Sequence, residues 1–376
     1  NDTATTEIYT LSLHDALPIW NRLDSYQQFL QRRIDPDTSR CSKPGNWPGL
    51  SGNMRLESDS AFHINGTSLL EASEHRERQL GNEPEGSSGS RGFRPLFYFG
   101  WPSEYGGADT KAAHLLKLLA GFADITVIPN DAGQLQDAVW TSRLDSWGVK
   151  YTTLASLPSR LDGVALAMCN NGFFSGGIYS EALQRGLRIV WSSEMMWHHP
   201  WERELIEAGV VTRLLYVSDV QRKALNYESF CSVPTRMTGN YISVDDFPFV
   251  ERPVVDQVTI GRLSRADALK YPEDFPVFYE ALEIPNVRFR VMAWSDELSA
   301  KYRWHHFDDR WDLLPPQAEP AHRFLQSLDL FVYPLGHQFT ESWGRSTVEA
   351  MLTGAIPIVP AGHHFESLIE HGKSGF

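Results

Sequence analysis

The chain has 376 residues, enough for two domains of ordinary size plus an extension. Its formal charge of −13 argues against general nucleic-acid binding, while leaving room for a local basic pocket that takes a phosphate. No apolar run approaches the roughly 18 residues that a membrane span needs, and no basic amphipathic helix stands out, so only peripheral membrane contact is left open.

In chain order, residues 1–19 look foreign. Thr10-Leu11-Ser12-Leu13-His14-Asp15-Ala16-Leu17-Pro18-Ile19 matches one reading frame of a common sequencing adapter, and the segment is set aside as an expected artefact. Residues 20–92 carry one helix-like stretch at 23–33. Polar residues, Gly, Pro and Ser follow, and the segment reads as a disordered extension and linker. No basic n-region opens the chain, so no secretory signal is expected, and the Asn65-Gly66-Thr67 sequon is read as chance. Cys41, Cys169 and Cys231 are scattered, odd in number and without a CxxC pair. They point to a reducing, cytoplasmic setting, with neither a disulfide framework nor a zinc site.

Organised structure is expected from residue 93 to 240. Leu96-Phe97-Tyr98-Phe99 reads as a strand and 108–120 as a helix with Leu115, Leu118 and Leu119 on its apolar side. Gly106 and Gly107 fall at their junction, where an open parallel sheet meets its ligands. The pair is not GxGxxG, which argues against a dinucleotide-dependent dehydrogenase. Strands are predicted at 125–128, 149–153, 164–168, 188–191 and 214–217. Helices are predicted at 134–147, 178–185, 201–208 and 220–225, an alternation that implies an α/β parallel sheet. Glu194 and His198 lie in the aromatic, polar stretch that closes the fourth of these strands and are candidate acceptor contacts. His198 and His199 without a carboxylate cluster do not make a metal site.

Residues 241–256 read as an interdomain linker, and a second alternating domain is predicted over 257–376. Val258-Thr259-Ile260 is a strand followed by Gly261-Arg262-Leu263-Ser264-Arg265. The glycine is expected to open a pocket at the strand end, with Arg262 and Lys270 reaching a phosphate there. Strands are predicted at 287–294, 330–333 and 356–359, and a helix at 321–328. The stretch Glu341-Ser342-Trp343-Gly344-Arg345-Ser346-Thr347-Val348-Glu349 then opens a helix predicted over 343–353 and stopped by Gly354. Val348, Met351 and Leu352 give it a buried stripe. Gly344 removes a side chain where backbone N–H groups could approach an anion. Glu341 and Glu349 are separated by eight residues, roughly 12 Å at helical rise, about the reach across a diphosphate from a sugar to a ribose. The plainer alternative is that Arg345 and Glu349 form an ordinary i,i+4 pair on a solvated helix face.

Taken together, the Gly106-Gly107 loop, Gly261-Arg262-Leu263 with Lys270, the Glu341/Glu349 spacing and the glycine-rich tail (Gly362, Glu366 and residues 372–375) resemble the retaining glycosyltransferases of the GT-B fold, specifically family 4 with its EX7E motif. The resemblance covers residues 95–376 and is most specific in the second half. It implies two Rossmann-like domains facing a cleft and a sugar transferred from a nucleotide-sugar to a glycan, lipid-linked or small-molecule hydroxyl acceptor, as in polysaccharide assembly, with no cofactor or metal. It further implies that Arg262 and Lys270 neutralise the donor diphosphate and that Glu349 holds the ribose. Glu341 lies near the donor sugar. Backbone N–H groups over Trp343, Gly344, Arg345 and Ser346, next to Ser342, bind phosphate or sugar oxygens, and the Gly106-Gly107 loop approaches the donor across the cleft. Two departures stand out. Ser192-Ser193-Glu194 occupies a place where the family often has His, and the longer Arg262 to Lys270 spacing brings Arg265 into the same role. Family members also continue past the position of Phe376, so a fragment is expected. The rival readings are another GT-B sugar-nucleotide enzyme, an epimerase or phosphorylase, and a non-catalytic sugar-nucleotide-binding module.

Overall fold

A computed structural model of the protein describes residues 95–376 apart from 105, 252–255 and 283. The segments read as adapter-derived and as polar extension, and Cys41 with them, lie outside the described residues. Seven parallel strands form the first sheet: β1 (Pro95–Phe99), β2 (Asp124–Ile128), β3 (Lys150–Tyr151), β4 (Val164–Met168), β5 (Arg188–Ser192), β6 (Val211–Tyr216) and β7 (Thr235–Met237), in the order β3-β2-β1-β4-β5-β6-β7. The second sheet has β8 (Val258–Leu263), β9 (Val287–Met292), β10 (Trp311–Leu314), β11 (Leu330–Val332) and β12 (Ile356–Ile358), in the order β10-β9-β8-β11-β12. Both orders reverse at one point, between β1 and β4 and between β8 and β11. A reversal of this kind opens a crevice beyond the strand C-termini.

The strands read as near-continuous apolar runs because helices cover both faces of each sheet. Alternation still sorts the side chains. Phe97, Phe99, Ala165, Ala167, Ile189 and Trp191 enter one core, while Tyr98, Leu166 and Met168 enter the opposite one with Leu115 and Leu116 of α1 (Gly107–Leu119). At the first reversal Asn170 Nδ2 donates to Phe99 O at 2.8 Å. Its Oδ1 accepts from Asn130 Nδ2 at 2.6 Å and from Phe173 N at 3.1 Å, so one amide ties three strand ends and caps the short helix that begins at Asn171.

Several boundaries differ from the sequence expectation for identifiable reasons. The helix predicted over 134–147 is a short 3₁₀ turn followed by α2 (Ala138–Ser146), because Asp137 turns out of the helical region and caps the backbone N–H groups of Val139 and Trp140. Short elements escaped prediction: α3 (Asn171–Ser175), β7 and β10. They precede or follow the better-patterned α4 (Ile178–Gln184), α5 (Glu202–Glu207) and α6 (Asp219–Leu225). In the second lobe α7 (Phe275–Glu280) and α8 (Asp296–Lys301) were also missed, while α9 (Ala321–Gln326) was expected. The predicted strand end at Gly261 is a correction. β8 runs on through Leu263, and Gly261 lies inside it, where an added β-carbon would run into Arg290 O of β9 and a Leu328 methyl. That glycine serves strand packing and opens no pocket.

Candidate functional site

The second lobe brings Lys270, Tyr333 and Glu341 together at the β8/β11 reversal. Lys270 Nζ lies 3.2 Å from Glu341 Oε2, and Tyr333 donates its hydroxyl to the same oxygen at 3.1 Å. The Lys270 and Glu341 side chains are only 14% and 13% exposed, so their attraction is little screened. Burial opposes both charges. For Lys270 it is outweighed by Tyr333 and Glu341, which raise the ammonium above its ordinary range, and for Glu341 it is outweighed by Lys270, which lowers the carboxyl. Gly336 makes this meeting possible: a β-carbon there would collide with Leu269 O, so only glycine lets the two loops pass.

Arg262 was expected beside Lys270 on a phosphate, and the structure gives it a different post. Its side chain is fully buried between the rings of Tyr271 and Tyr333, 3.8 and 4.3 Å from their centroids. Its Nη2 donates to Lys270 O at 2.9 Å, its Nη1 to Pro334 O, and its Nε to Ser264 Oγ at 3.3 Å. The guanidinium therefore fastens the Lys270 segment to the end of β11. Arg265, 44% exposed and bonded through Nη2 to Asp267 at 3.0 Å, keeps donors that solvent can reach.

The stretch that opens at Glu341 continues as α10 (Arg345–Leu352), two residues later than predicted. Gly344 caps it at φ +92°, and the space a β-carbon would need is occupied by the Phe365 ring. The glycine is required by backbone hand and by packing, a correction to the view that it leaves room for an anion. Among the described residues the N–H groups of Arg345 and Ser346 make no hydrogen bond, as at the start of any helix, and remain available to an acceptor. Trp343 leans on His364 at 6.1 Å, and Ser342 beside it is half-buried.

Arg345 and Glu349 do pair, with Nε 2.6 Å from Oε1, yet the pair is buried rather than solvated, at 7% and 8% exposure. The N–H does not point along the line of a hydrogen bond, so the contact is an ion pair and leaves Glu349 Oε1 and Arg345 Nη2 without hydrogen-bond partners. Burial raises the Glu349 carboxyl despite Arg345.

In the first lobe Gly106 caps α1, and its carbonyl accepts from both N and Oγ1 of Thr110 at 2.9 and 2.8 Å. A β-carbon on Gly107 would meet nothing. Glu194, held at φ +62°, accepts from Lys111 Nζ at 2.7 Å and from Ser192 Oγ. Cys169 lies within electrostatic reach of Glu194, Asp109 and Arg265, and Asp109 within reach of Arg265. Burial, Glu194 and Asp109 push the Cys169 thiol up to about 12, and burial raises the Asp109 carboxyl against Ser103 and Arg265. His198 is held apart from this group. Its Nε2 is 2.6 Å from Leu225 O, and its ring packs on Tyr227 and Phe230. The buried carboxylate nearby is Glu202, which accepts from Trp191 Nε1 at 2.8 Å, from His199 N at 2.9 Å and from Tyr227. A cavity of about 220 Å³ runs along the α1 side of the sheet, lined mainly by apolar residues with Lys111 and Ser192 among them. Among the described residues no three His, Cys, Asp or Glu side chains converge as a metal site.

Sequence reading overlooked Tyr333, Lys111 and His363. His363 accepts from Glu341 N at 3.2 Å through Nδ1, which places the proton of the neutral ring on Nε2. It holds a left-handed backbone, φ +56°, that costs a non-glycine residue about 1 kcal/mol. Burial lowers its pKa against the pull of Glu341. The one available signal was the tail motif itself, where His363 follows Gly362.

No protein-family profile matches the sequence, and a search of curated protein sequences finds no relative. Solved structures do match. HepE of Anabaena, crystallised with UDP-glucose, superposes with a TM-score of 0.57 at 14% identity, over 75% of this chain and 84% of that one. A glycosyltransferase from Rickettsia africae superposes with a TM-score of 0.57 at 10% identity, over 76% of this chain and 83% of that one. At such identities the likeness is one of fold: two parallel-sheet lobes in the GT-B architecture.

Proposed function

We propose that this protein is a glycosyltransferase that moves a sugar from a nucleotide-sugar to a hydroxyl acceptor with retention of anomeric configuration, in the manner of family 4. The observation that carries the reading is the buried Lys270–Glu341 pair at the β8/β11 reversal, next to the start of the helix that bears Glu349. Lys270 and the exposed Arg265 meet the diphosphate charge as the bond from the anomeric carbon to the phosphate oxygen breaks, and the free N–H groups of α10 add to it. Glu349 accepts from the ribose hydroxyls and Glu341 from the donor sugar. Arg262 acts through Lys270, whose carbonyl it holds. The acceptor enters from the first lobe, between Gly106-Gly107 and Glu194, and its oxygen bonds to the anomeric carbon while its proton passes to the leaving phosphate. The reading calls for no metal ion. Acceptors of glycan, lipid-linked or small-molecule type fit it equally, and polysaccharide assembly in the cytoplasm is the proposed setting.

HepE holds UDP-glucose in its crystal, which makes UDP-glucose the first donor to test here. A thermal-shift panel of UDP, GDP, ADP and dTDP with their sugars should show stabilisation by one base. Glu341→Gln should then lower turnover more than nucleotide affinity. No stabilisation by any of the four nucleoside diphosphates would sink the reading.

A further inference from the structure

Residues 240–248, between the two sheets, are held by both lobes. On the first-lobe side, α1 presents Lys111, His114 and Lys117 on one face. Ser243 N donates to His114 Nδ1 at 2.7 Å, and Phe247 stacks on the His114 ring at 6.0 Å. Lys117 Nζ donates to Ser243 Oγ at 3.0 Å and to Asp246 Oδ1 at 2.8 Å. The Tyr241 ring lies 5.7 Å from Lys111 Nζ. On the second-lobe side, Gln326 Nε2 donates to Pro248 O at 2.7 Å. Arg345 Nη1 donates to Asn240 Oδ1 at 3.0 Å and to Tyr241 O.

Arg345 is therefore shared. One edge of its guanidinium holds the connecting strap and the other faces Glu349. Both side chains are at least nine-tenths buried, and Arg345 Nη2, Glu349 Oε1 and Thr347 Oγ1 are all buried without hydrogen-bond partners. Such a set is incompletely satisfied and sensitive to any group that completes it. A buried guanidinium keeps its place only while its counter-charge does. Neutralising Glu349 leaves Arg345 uncompensated and favours its withdrawal toward water, away from Asn240 and Tyr241. Fixing the Glu349 carboxylate with further donors does the reverse.

We propose that Arg345 is a positioning residue that ties Glu349 to the interlobe strap, so that occupancy of Glu349 by a ribose sets how firmly residues 240–248 are held. The ribose half of this rests on the glycosyltransferase reading; the tie itself does not.

Hydrogen exchange on the full chain separates the two. Without ligand, Glu349→Gln should speed exchange of strap peptides about threefold or more while β1 and β4 peptides stay unchanged. Saturating UDP should slow strap exchange in the wild type and do so less in Arg345→Lys, which keeps the charge but loses the planar fork. Strap exchange in Glu349→Gln equal to wild type overturns the tie, whether or not nucleotides bind. A strap that responds to Glu349→Gln, in a protein that binds none of UDP, GDP, ADP and dTDP by calorimetry, supports the tie and overturns the glycosyltransferase reading. Calorimetric UDP binding without a change in strap exchange overturns the ribose coupling and leaves that reading standing. Should Glu349→Gln fail to fold, Asn240→Ala cuts the strap end of the tie without touching α10. It should speed strap exchange likewise, and unchanged exchange there counts against the tie.

Discussion

A buried lysine and a buried glutamate 3.2 Å apart are stable only as a pair. Removing Lys270 leaves the Glu341 carboxylate with Tyr333 as its remaining side-chain donor, in a place where burial alone disfavours the charge. Lys270→Met is therefore expected to cost about 3 kcal/mol of folding stability at neutral pH, the scale of an orphaned buried charge. Glu341→Gln should cost less, because its amide can still meet Tyr333. The double variant should recover part of the Lys270→Met loss, a coupling of roughly 1–3 kcal/mol by urea unfolding of all four proteins. Strictly additive losses would mean that the pair does not act as a unit. Arg262 belongs to the same residue-scale account. Its three nitrogens are engaged by Pro334 O, Lys270 O and Ser264 Oγ, so its charge serves the placing of Lys270.

At the scale of elements, two glycines decide whether the strands and helices around that pair can close. Gly261→Ala would push β8 away from β9 and from Leu328, and Gly344→Ala would meet the Phe365 ring in a left-handed backbone conformation. Each is expected to cost about 2–3 kcal/mol by overpacking and strain. Gly107→Ala, with nothing near the new methyl, should be close to neutral for stability. A Gly344→Ala protein with wild-type stability by urea unfolding would show that α10 can start without this cap. These positions also mark what the sequence could tell. The Glu341/Glu349 spacing is local to one loop and helix, and Lys270 follows its strand closely, so pattern reading could single them out. Tyr333 and His363 join Glu341 through the adjacency of β8, β11 and β12, and pairings distant in sequence leave no periodic trace. Gly261 read as a stop because glycine usually weakens a strand, whereas here it is the close approach of β9 that demands it. α7 and α8 are six-residue helices, as are the expected α5 and α9, so their length alone did not hide them. The aromatic cluster around α7 and α8, Phe275 with Tyr271, Tyr279, Trp294, Tyr302 and Trp311, is dense enough to blur their pattern.

At the scale of the whole molecule, the two lobes share a short strap, and one of its first-lobe anchors is His114. The ring is 10% exposed, stacks on Phe247, and accepts Ser243 N through Nδ1, which a protonated imidazole cannot do. Burial, with Arg345 and Lys117 adding to it against Asp246, brings its pKa down to about 4. The folded state thus binds this proton less tightly than the unfolded chain, whose histidine titrates near its ordinary value of about 6.5. Stability from this group is fully present above that value and is lost as pH falls from there toward 4, by up to about 3 kcal/mol for a shift of this size. The Lys117–Asp246 contact beside it is about one-third to two-fifths exposed and should contribute little of this. His114→Gln keeps an acceptor for Ser243 N and cannot take the proton, so its unfolding free energy should fall less than that of the wild type between pH 7 and 4.5. Other carboxylates titrate in the same window in both proteins, and the difference between the two curves isolates the strap anchor. Parallel curves by urea unfolding at pH 7, 5.5 and 4.5 would place the acid sensitivity elsewhere. Divergent curves, with strap peptides less protected in the wild type at pH 4.5 than at 7 once each rate is referred to the intrinsic exchange rate at its own pH, would locate it in the connection between the lobes.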